Sequence, residues 1–271
     1  MKKLCDVKNW AAGLLLTSAS LGVQAAPEFI IEECTLSCGA GVSSLLTADT
    51  IVGDYIEVLT TTLVPGASNP FVTSGILNFG SFSNGGPLVS FLGSPGGYFM
   101  YALFQFEGTQ TLSTTGELTF QASSASIQIW GDPDQDSTSV QDATGASFPA
   151  VTQNGADVLL LESMDLVAGT GNGRVGNNFG DFRIVLDDSM LTPAGEAYFI
   201  EPDPFYLEIN TAGNFTDIDP LLSAGIGVET TFTINGGATT TFAIPEPSAI
   251  ALLASGLLSL GAVARRRRKL V

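Results

Sequence analysis

The stretch "YFMYALFQFEG", residues 98–108, decides the fold of this chain. It is rich in aromatic residues, and it is almost unbrokenly apolar until Glu107. A strand that alternates apolar and polar residues has one face in water, whereas this run has no polar face. The run therefore predicts a central β-strand that is covered on both sides.

Further segments around this run have the composition of strands. They are rich in β-branched or aromatic residues and are bounded by Gly, Asn, Asp and Pro. They span residues 54–64, 116–131, 157–169, 179–188, 205–213 and 231–244. In the last segment, Asn235-Gly236-Gly237 offers positions that tolerate φ > 0, so we predict a tight hairpin turn there. The whole pattern predicts an all-β fold: a single antiparallel β-sandwich or jelly-roll-like domain over residues 26–243.

The first 25 residues have the layout of a secretory signal peptide. Three lysines precede an apolar stretch at Ala11–Val23, and small residues follow two positions apart, ending at Ala25. This order is typical of export signals, and the apolar stretch is short for a membrane span. We predict a signal peptide at residues 1–25, cleavage after Ala25, and export from the cytoplasm.

Removing both ends leaves a strongly acidic protein. Segment 26–247 keeps 26 of the 27 carboxylates and only two of the ten cationic residues, Arg174 and Arg183, which gives a net charge near −24. Such a surface repels phosphate backbones and excludes nucleic acid as a partner. Divalent cations or basic partners are its natural counter-ions. We expect each of the two arginines to pair with a neighbouring carboxylate.

The residue inventory disfavours an enzyme. The chain has no His, and segment 26–247 has no Lys, so proton transfer would fall to Asp, Glu or Tyr. A polysaccharide hydrolase with a carboxylate pair is the one plausible catalytic class. No activated nucleophile or complete metal-ligand set is evident, so we expect a non-catalytic protein.

Two cysteines remain after removal of the signal. Cys34 and Cys38 form an even pair in an oxidising compartment, which predicts a disulfide. A Cys-x3-Cys metal site is the alternative, but no further Cys or His of segment 26–271 completes a tetrahedral ligand set.

The segment "IPEPSAIALLASGLLSLGAVARRRRK", residues 244–269, has three parts. Pro245 and Pro247 keep the first part extended and remove two amide donors. Residues 248–264 carry no charge and predict a short apolar single-pass helix, and the basic residues 265–269 are typical of a cytoplasmic flank. On hydropathy alone the segment is a permanent membrane anchor that holds the domain outside.

The same segment resembles the PEP-CTERM sorting signal of Gram-negative bacteria. That signal joins a Pro-Glu-Pro motif, here Pro245, Glu246 and Pro247, to an apolar helix and an arginine cluster. The resemblance implies a sorting segment at residues 244–271 that is anchored transiently in the inner membrane. It also implies an exosortase as partner, which cuts near the motif and delivers the protein to the cell surface or the exopolysaccharide matrix.

Four stretches that together cover about half of the mature chain resemble the flocculation-associated PEP-CTERM proteins of floc-forming bacteria. The resemblance rests on "PEFIIEEC…LTADTIVGDYIEVLT", "GYFMYALFQFEGT", "WGDPDQDST" and "AGEAYFIEPDPFYLEINTAGNFTD", in this order. It implies an acidic extracellular protein that promotes flocculation or biofilm cohesion together with exopolysaccharide. It offers no catalytic residues to carry over.

The densest acidic stretch is "WGDPDQDSTSVQD", residues 130–142. Asp132, Asp134 and Asp136 alternate along it, and a loop can turn all three carboxylates toward one hard cation such as Ca²⁺. Ser137 and Ala143 occupy the positions where an EF-hand needs Gly and Glu, so we consider a looser calcium site, with backbone carbonyls and Asp142 as further ligands. The simpler interpretation is a polar loop between strands, since Asp-Pro and Asp-Gln-Asp are common in turns.

Two other features bear on ligands. The glycine-rich segment 169–182 lacks the residues of a phosphate-binding loop, and we predict a long hairpin loop there.

Aromatic residues beside loops could stack on a pyranose, which makes a carbohydrate-binding module, with or without Ca²⁺, the alternative function. Such residues more often belong to a β core. The candidates are Trp130, Tyr198, Phe205 and Tyr206.

Overall fold

A computed structural model describes residues 28–38, 44–140, 149–174, 179–187, 190–202, 206–214 and 227–243. The predicted signal peptide at 1–25 and sorting segment at 244–271 lie outside these ranges. Among the described residues, no helix has the length and apolar character needed to cross a membrane.

The described residues are mostly β-strand, with one short helix, α1 (Pro193–Tyr198), and one 3-10 turn at Glu33–Thr35. The strands are β1 (Phe29–Glu32), β2 (Leu45–Ala48), β3 (Thr50–Thr62), β4 (Ser68–Ser83), β5 (Phe99–Leu112), β6 (Glu117–Asp132), β7 (Thr138–Val140), β8 (Ala150–Thr152), β9 (Val158–Ser163), β10 (Asp165–Arg174), β11 (Phe179–Asp187), β12 (Met190–Leu191), β13 (Phe199–Glu201), β14 (Tyr206–Asn214) and β15 (Glu229–Ala243).

The long strands form one closed, barrel-like antiparallel sheet. β3, β4, β5 and β6 pair in sequence order, and β9 and β10 run one after the other along β6. The sheet continues as β10 pairs with β11, β11 with β14, and β14 with β15. β15 then pairs with β3, which closes the sheet. The all-β antiparallel prediction is confirmed. The architecture differs from a sandwich or jelly roll because one sheet closes on itself, which leaves few open edges.

The apolar run at residues 98–108 lies largely in β5, which has a paired strand on each side. β5 pairs with β4 on one side and β6 on the other, as predicted for a central strand. Its inward side chains, Met100, Ala102, Phe104 and Phe106, are buried in the barrel. The outward face is covered only in part: Tyr101 is buried, whereas Phe99 is 41% exposed.

The predicted hairpin at Asn235-Gly236-Gly237 is wrong. β15 runs through these residues without a turn, and both of its edges are paired, with β14 and with β3. Neither glycine has the positive φ that a tight turn needs. Gly236 instead lies on the inward face opposite Tyr55, where the absence of a side chain leaves room inside the barrel.

The glycine-rich segment also differs from its prediction as a long loop. It supplies most of β10 and the start of β11, and only residues 175–178 lie outside the described ranges. Gly171 faces the barrel interior, and a side chain there would collide with the ring of Phe182. These glycines let one wall of the barrel accommodate large rings.

One end of the barrel carries a cap built from β1, β2, β13, the 3-10 turn and α1. β1 pairs with β13 and β2 in a small separate sheet. Its Phe29 enters the core, with ring centroids 6.3 Å from Phe82 and 4.7 Å from Phe242. Phe199 of β13 lies 5.1 Å from Phe242. The cap therefore continues the barrel core into one hydrophobic cluster.

Candidate functional site

The acidic loop begins where β6 ends. Asp132, the last residue of β6, is 1% exposed, and its carboxylate accepts hydrogen bonds from the backbone N–H groups of Gln135 (2.7 Å) and Ser137 (3.0 Å). These two bonds fold the loop back over one buried carboxylate. Gln135 takes a left-handed conformation with φ of 60°. Its neighbours Asp134 and Asp136 are exposed.

A fourth carboxylate comes from a second loop, which precedes β9. Asp132, Asp134, Asp136 and Asp157 each place an oxygen within 4.8 Å of the others; we call these four residues the acidic cluster. Gly155 has φ of 75°, and a side chain there would collide with the Asp134 carboxylate. Asn154 donates from its side-chain amide to the backbone oxygen of Asp136 at 3.0 Å, which ties the two loops together.

Asp157 is held from two sides. Its Oδ2 accepts hydrogen bonds from the Tyr101 hydroxyl (2.6 Å) and the Ser137 hydroxyl (2.7 Å). Gln153 in turn donates to the Tyr101 oxygen at 2.8 Å. The second oxygen of Asp157, Oδ1, is buried and has no hydrogen-bond partner among the described residues.

The electrostatics of the cluster oppose full ionisation. Burial raises the pKa of Asp132, and the neighbouring carboxyls of Asp134 and Asp157 raise it further, while the N–H groups of Ser137 and Gln135 oppose the shift. Partial desolvation, followed by the charges of Asp134 and Asp157, also raises the pKa of Asp136. Carboxylates crowded in this way share protons or gain from a cation that neutralises them.

The donor set suits a hard cation such as Ca²⁺, which prefers carboxylate and carbonyl oxygens. The structure brings together the three aspartates chosen from the sequence. Asp157 was missed because it lies in another loop, although the Asn154-Gly155 pair beside it was a turn signal. Asp142, the further ligand considered, lies outside the described residues.

Cys34 and Cys38 are joined by a disulfide, with an S–S distance of 2.06 Å. The bridge closes a short loop around Leu36, which packs against Gly131 near the end of β6. The adjacent Glu33 is 1% exposed and accepts hydrogen bonds from the Phe91 N–H (2.9 Å) and the Tyr98 hydroxyl (3.1 Å). Burial raises the pKa of Glu33 against these bonds. The disulfide loop thus belongs to the cap.

The aromatic residues that the sequence suggested for sugar binding do not form an exposed binding face among the described residues. Tyr198 is fully buried, and its hydroxyl lies 2.6 Å from the hydroxyl of Tyr98. Trp130 is half-buried, and its Nε1 has no hydrogen-bond partner among the described residues. Tyr206 begins β14, and Phe205 lies outside the described residues. The exposed ring beside the acidic cluster is Phe99, which sequence reasoning did not select.

The two arginines lie on the outer face of the barrel. Arg183 forms a bidentate ion pair with Glu208: its Nε and Nη2 atoms each lie 2.7 Å from a carboxylate oxygen. This bond lowers the pKa of Glu208. Arg174 stands opposite Glu117 in the β6–β10 register.

Comparison with protein-family models gives a match to the PEP-CTERM protein-sorting motif over residues 243–269. The chain carries a PEP-CTERM sorting motif. The motif begins at Ala243, the last residue of β15, so in the sequence it follows the closed sheet directly. Such a motif implies an exported protein that an exosortase processes.

No significant match was found among curated proteins or among solved structures.

Proposed function

We propose that this protein is a non-catalytic component of the cell surface or extracellular matrix of a Gram-negative bacterium. Together with exopolysaccharide it promotes flocculation or biofilm cohesion. The observation that carries the proposal is the sorting motif attached directly to an acidic, closed barrel. In this proposal the motif is the signal that directs the protein to the cell surface or matrix, and the barrel is the folded domain that acts there.

Divalent cations are the proposed link between the protein and its surroundings. The outer surface is acidic, and Arg183, one of only two cationic residues in segment 26–247, is already paired with Glu208. The acidic cluster gathers four carboxylates at one point. A cation bound there would relieve their mutual repulsion and stabilise both loops.

Complementation of a deletion strain tests this function. The strain receives the wild-type gene, a variant with alanine at Pro245, Glu246 and Pro247, or a variant with asparagine at all four positions of the acidic cluster. We expect the wild type to restore flocs, the motif variant to be exported without restoring them, and the cluster variant to restore fewer. Full flocculation by the motif variant would refute the proposed role of sorting.

Chelation tests the cation link separately. EDTA should disperse wild-type flocs and lower the melting temperature of the purified protein, because a ligand that binds the folded state stabilises it. If EDTA neither disperses the flocs nor lowers the melting temperature, the proposed cation bridge is wrong, whereas the proposed role of sorting is unaffected.

A carbohydrate-binding module is the second candidate, favoured by one groove. Phe99 lines a groove of about 490 Å³ beside the acidic cluster, together with Asn78, Ser137 and Ser139. An exposed ring flanked by amide and hydroxyl groups suits stacking and hydrogen bonding to a pyranose. Glycan-array binding that persists at high salt and is lost in Phe99→Ala would favour this function over ionic retention. Measured turnover of a polysaccharide would instead support a hydrolase.

A further inference from the structure

Among the described residues of the closed sheet, one acidic side chain points into the barrel. Glu57 lies on the inward face of β3, in register with Gly75 of β4 and Ile234 of β15. Across the described strands of the closed sheet, no other carboxylate occupies an inward position. A carboxylate in such an apolar interior is costly when ionised, so its presence calls for a physical explanation.

The barrel makes room for this side chain. A side chain at Gly75 would collide with the ring of Phe104 and come within 2.8 Å of the Glu57 Cβ. Beside Glu57 lies a cavity of about 30 Å³, bordered by the rings of Phe71, Phe120 and Phe182. A water molecule needs about 10–15 Å³ of such space, so the cavity has room for one or two waters. Glu57 is itself among the residues that line this cavity.

The hydrogen bonds around Glu57 favour a protonated carboxyl. The Thr73 hydroxyl lies 3.1 Å from Glu57 Oε2 and also 3.1 Å from the backbone oxygen of Val58. A hydroxyl carries one proton and cannot donate to both acceptors at once. If Glu57 is protonated, its own O–H donates to Thr73, whose proton then serves Val58, and both bonds are made.

The groups that face Glu57 supply no compensating positive charge. Tyr55 on the same strand is held neutral, because burial raises its pKa above the ordinary value. Other neighbours are Thr211 of β14, apolar side chains of β4, β6, β11 and β15, and Asp181 at the cavity edge. Asp181 accepts a hydrogen bond from Asn172, on the outer face. Arg183 is paired with Glu208, on the same outer face.

We propose that Glu57 is a proton-binding site inside the barrel and that its burial makes the folded protein less stable as the pH of the surroundings rises from acidic to neutral. Burial raises the pKa of Glu57 from 4.5 to about 7, partly offset by the Thr73 hydroxyl. Between these two values the unfolded chain ionises while the folded barrel keeps the proton. Stability therefore falls as pH rises from 4.5 to 7 and is constant above that window. The unfolding constant rises about 300-fold across it.

Urea unfolding of the full chain between pH 4.5 and 8.5 tests the proposal, with Glu57→Gln as the variant and Glu117→Gln, on the exposed outer face, as its control. Shifts from other carboxylates occur in all three proteins and cancel. We expect the unfolding constant of the wild type and the control to rise on the order of 100- to 1000-fold relative to Glu57→Gln. Equal pH profiles for wild type and Glu57→Gln would overturn the proposal.

Carboxyl ¹³C NMR of the wild type gives a second readout that does not depend on the variant folding. The carboxyl of Glu57, assigned separately from Glu33, whose pKa burial also raises, should titrate near pH 7 in the folded protein. If the assigned Glu57 carboxyl titrates below about pH 6, Glu57 is ionised at neutral pH and the proposal fails.

Discussion

Replacing Phe242 with alanine tests whether the cap and the barrel form one core. Phe242 is fully buried in β15, and its ring centroid lies 4.7 Å from that of Phe29 in β1 and 5.1 Å from that of Phe199 in β13. The substitution removes a ring that the cap contacts from two of its strands. Because the surrounding strands are held by the sheet, the space it leaves cannot collapse freely.

The expected loss follows from burial. A fully buried Phe→Ala change costs about 3–5 kcal/mol, and the edge-to-face contact with Phe29 and the tilted contact with Phe199 place Phe242 toward the upper part of that range. For a domain of this size, 1 kcal/mol shifts the melting temperature by about 2–4 °C, so a loss of about 4–5 kcal/mol should lower it by roughly 8–20 °C. Phe99→Ala is the matched control: this ring is 41% exposed, and its loss should cost less than about 1 kcal/mol.

Chemical and thermal unfolding, followed by circular dichroism, measure both variants. Equal losses for Phe242→Ala and Phe99→Ala would refute the reasoning, since the cap would then contribute nothing to the barrel core. A two-step transition in the wild type, with the first step absent in Phe242→Ala, would also separate the cap from the barrel.

Three further predictions concern other parts of the molecule. Gly75→Ala should destabilise the barrel by about 1–3 kcal/mol in urea unfolding, because the new Cβ collides with its neighbours, whereas Gly80→Ala, whose Cβ has ordinary contacts, should be nearly neutral. Arg183→Gln should cost less than about 1 kcal/mol, since Arg183 is 56% exposed and water screens its ion pair, and little of that loss should remain at high salt. Terbium luminescence sensitised by Tyr101 should weaken at least tenfold in Asp157→Asn and stay unchanged in Asp165→Asn; equal signals would exclude the acidic cluster as the site.

The sequence predicted where strands lie better than how they connect. Runs of β-branched and aromatic residues located β5, β6, β11 and β14 because strand composition is a local property. The closure of the sheet is not local: it depends on pairing between β3 and β15, which stand at opposite ends of the domain. The Asn235-Gly236-Gly237 error has the same origin, since glycine serves turns and crowded barrel interiors alike.

The part of the candidate site that lies in one loop was predictable from the sequence, and the part that depends on strand pairing was not. Asp132, Asp134 and Asp136 lie in one loop, so their spacing alone suggested convergence. Asp157 joins them only because β9 pairs with the end of β6 and brings its preceding loop alongside. Glu57 could not have been singled out at all, since its inward orientation follows from the register of β3 with its two neighbours.

The position of β15 links folding to sorting. This strand pairs along its length with β14 and with β3, the first strand of the closed sheet, and it ends at Ala243, where the sorting motif begins. The sheet therefore cannot close until the chain has been synthesised up to the start of the motif. Pairing of strands so far apart in sequence is slow compared with local hairpin formation. Because the motif begins at Ala243, a substitution that weakens β15 pairing acts on the strand that immediately precedes the motif in the sequence.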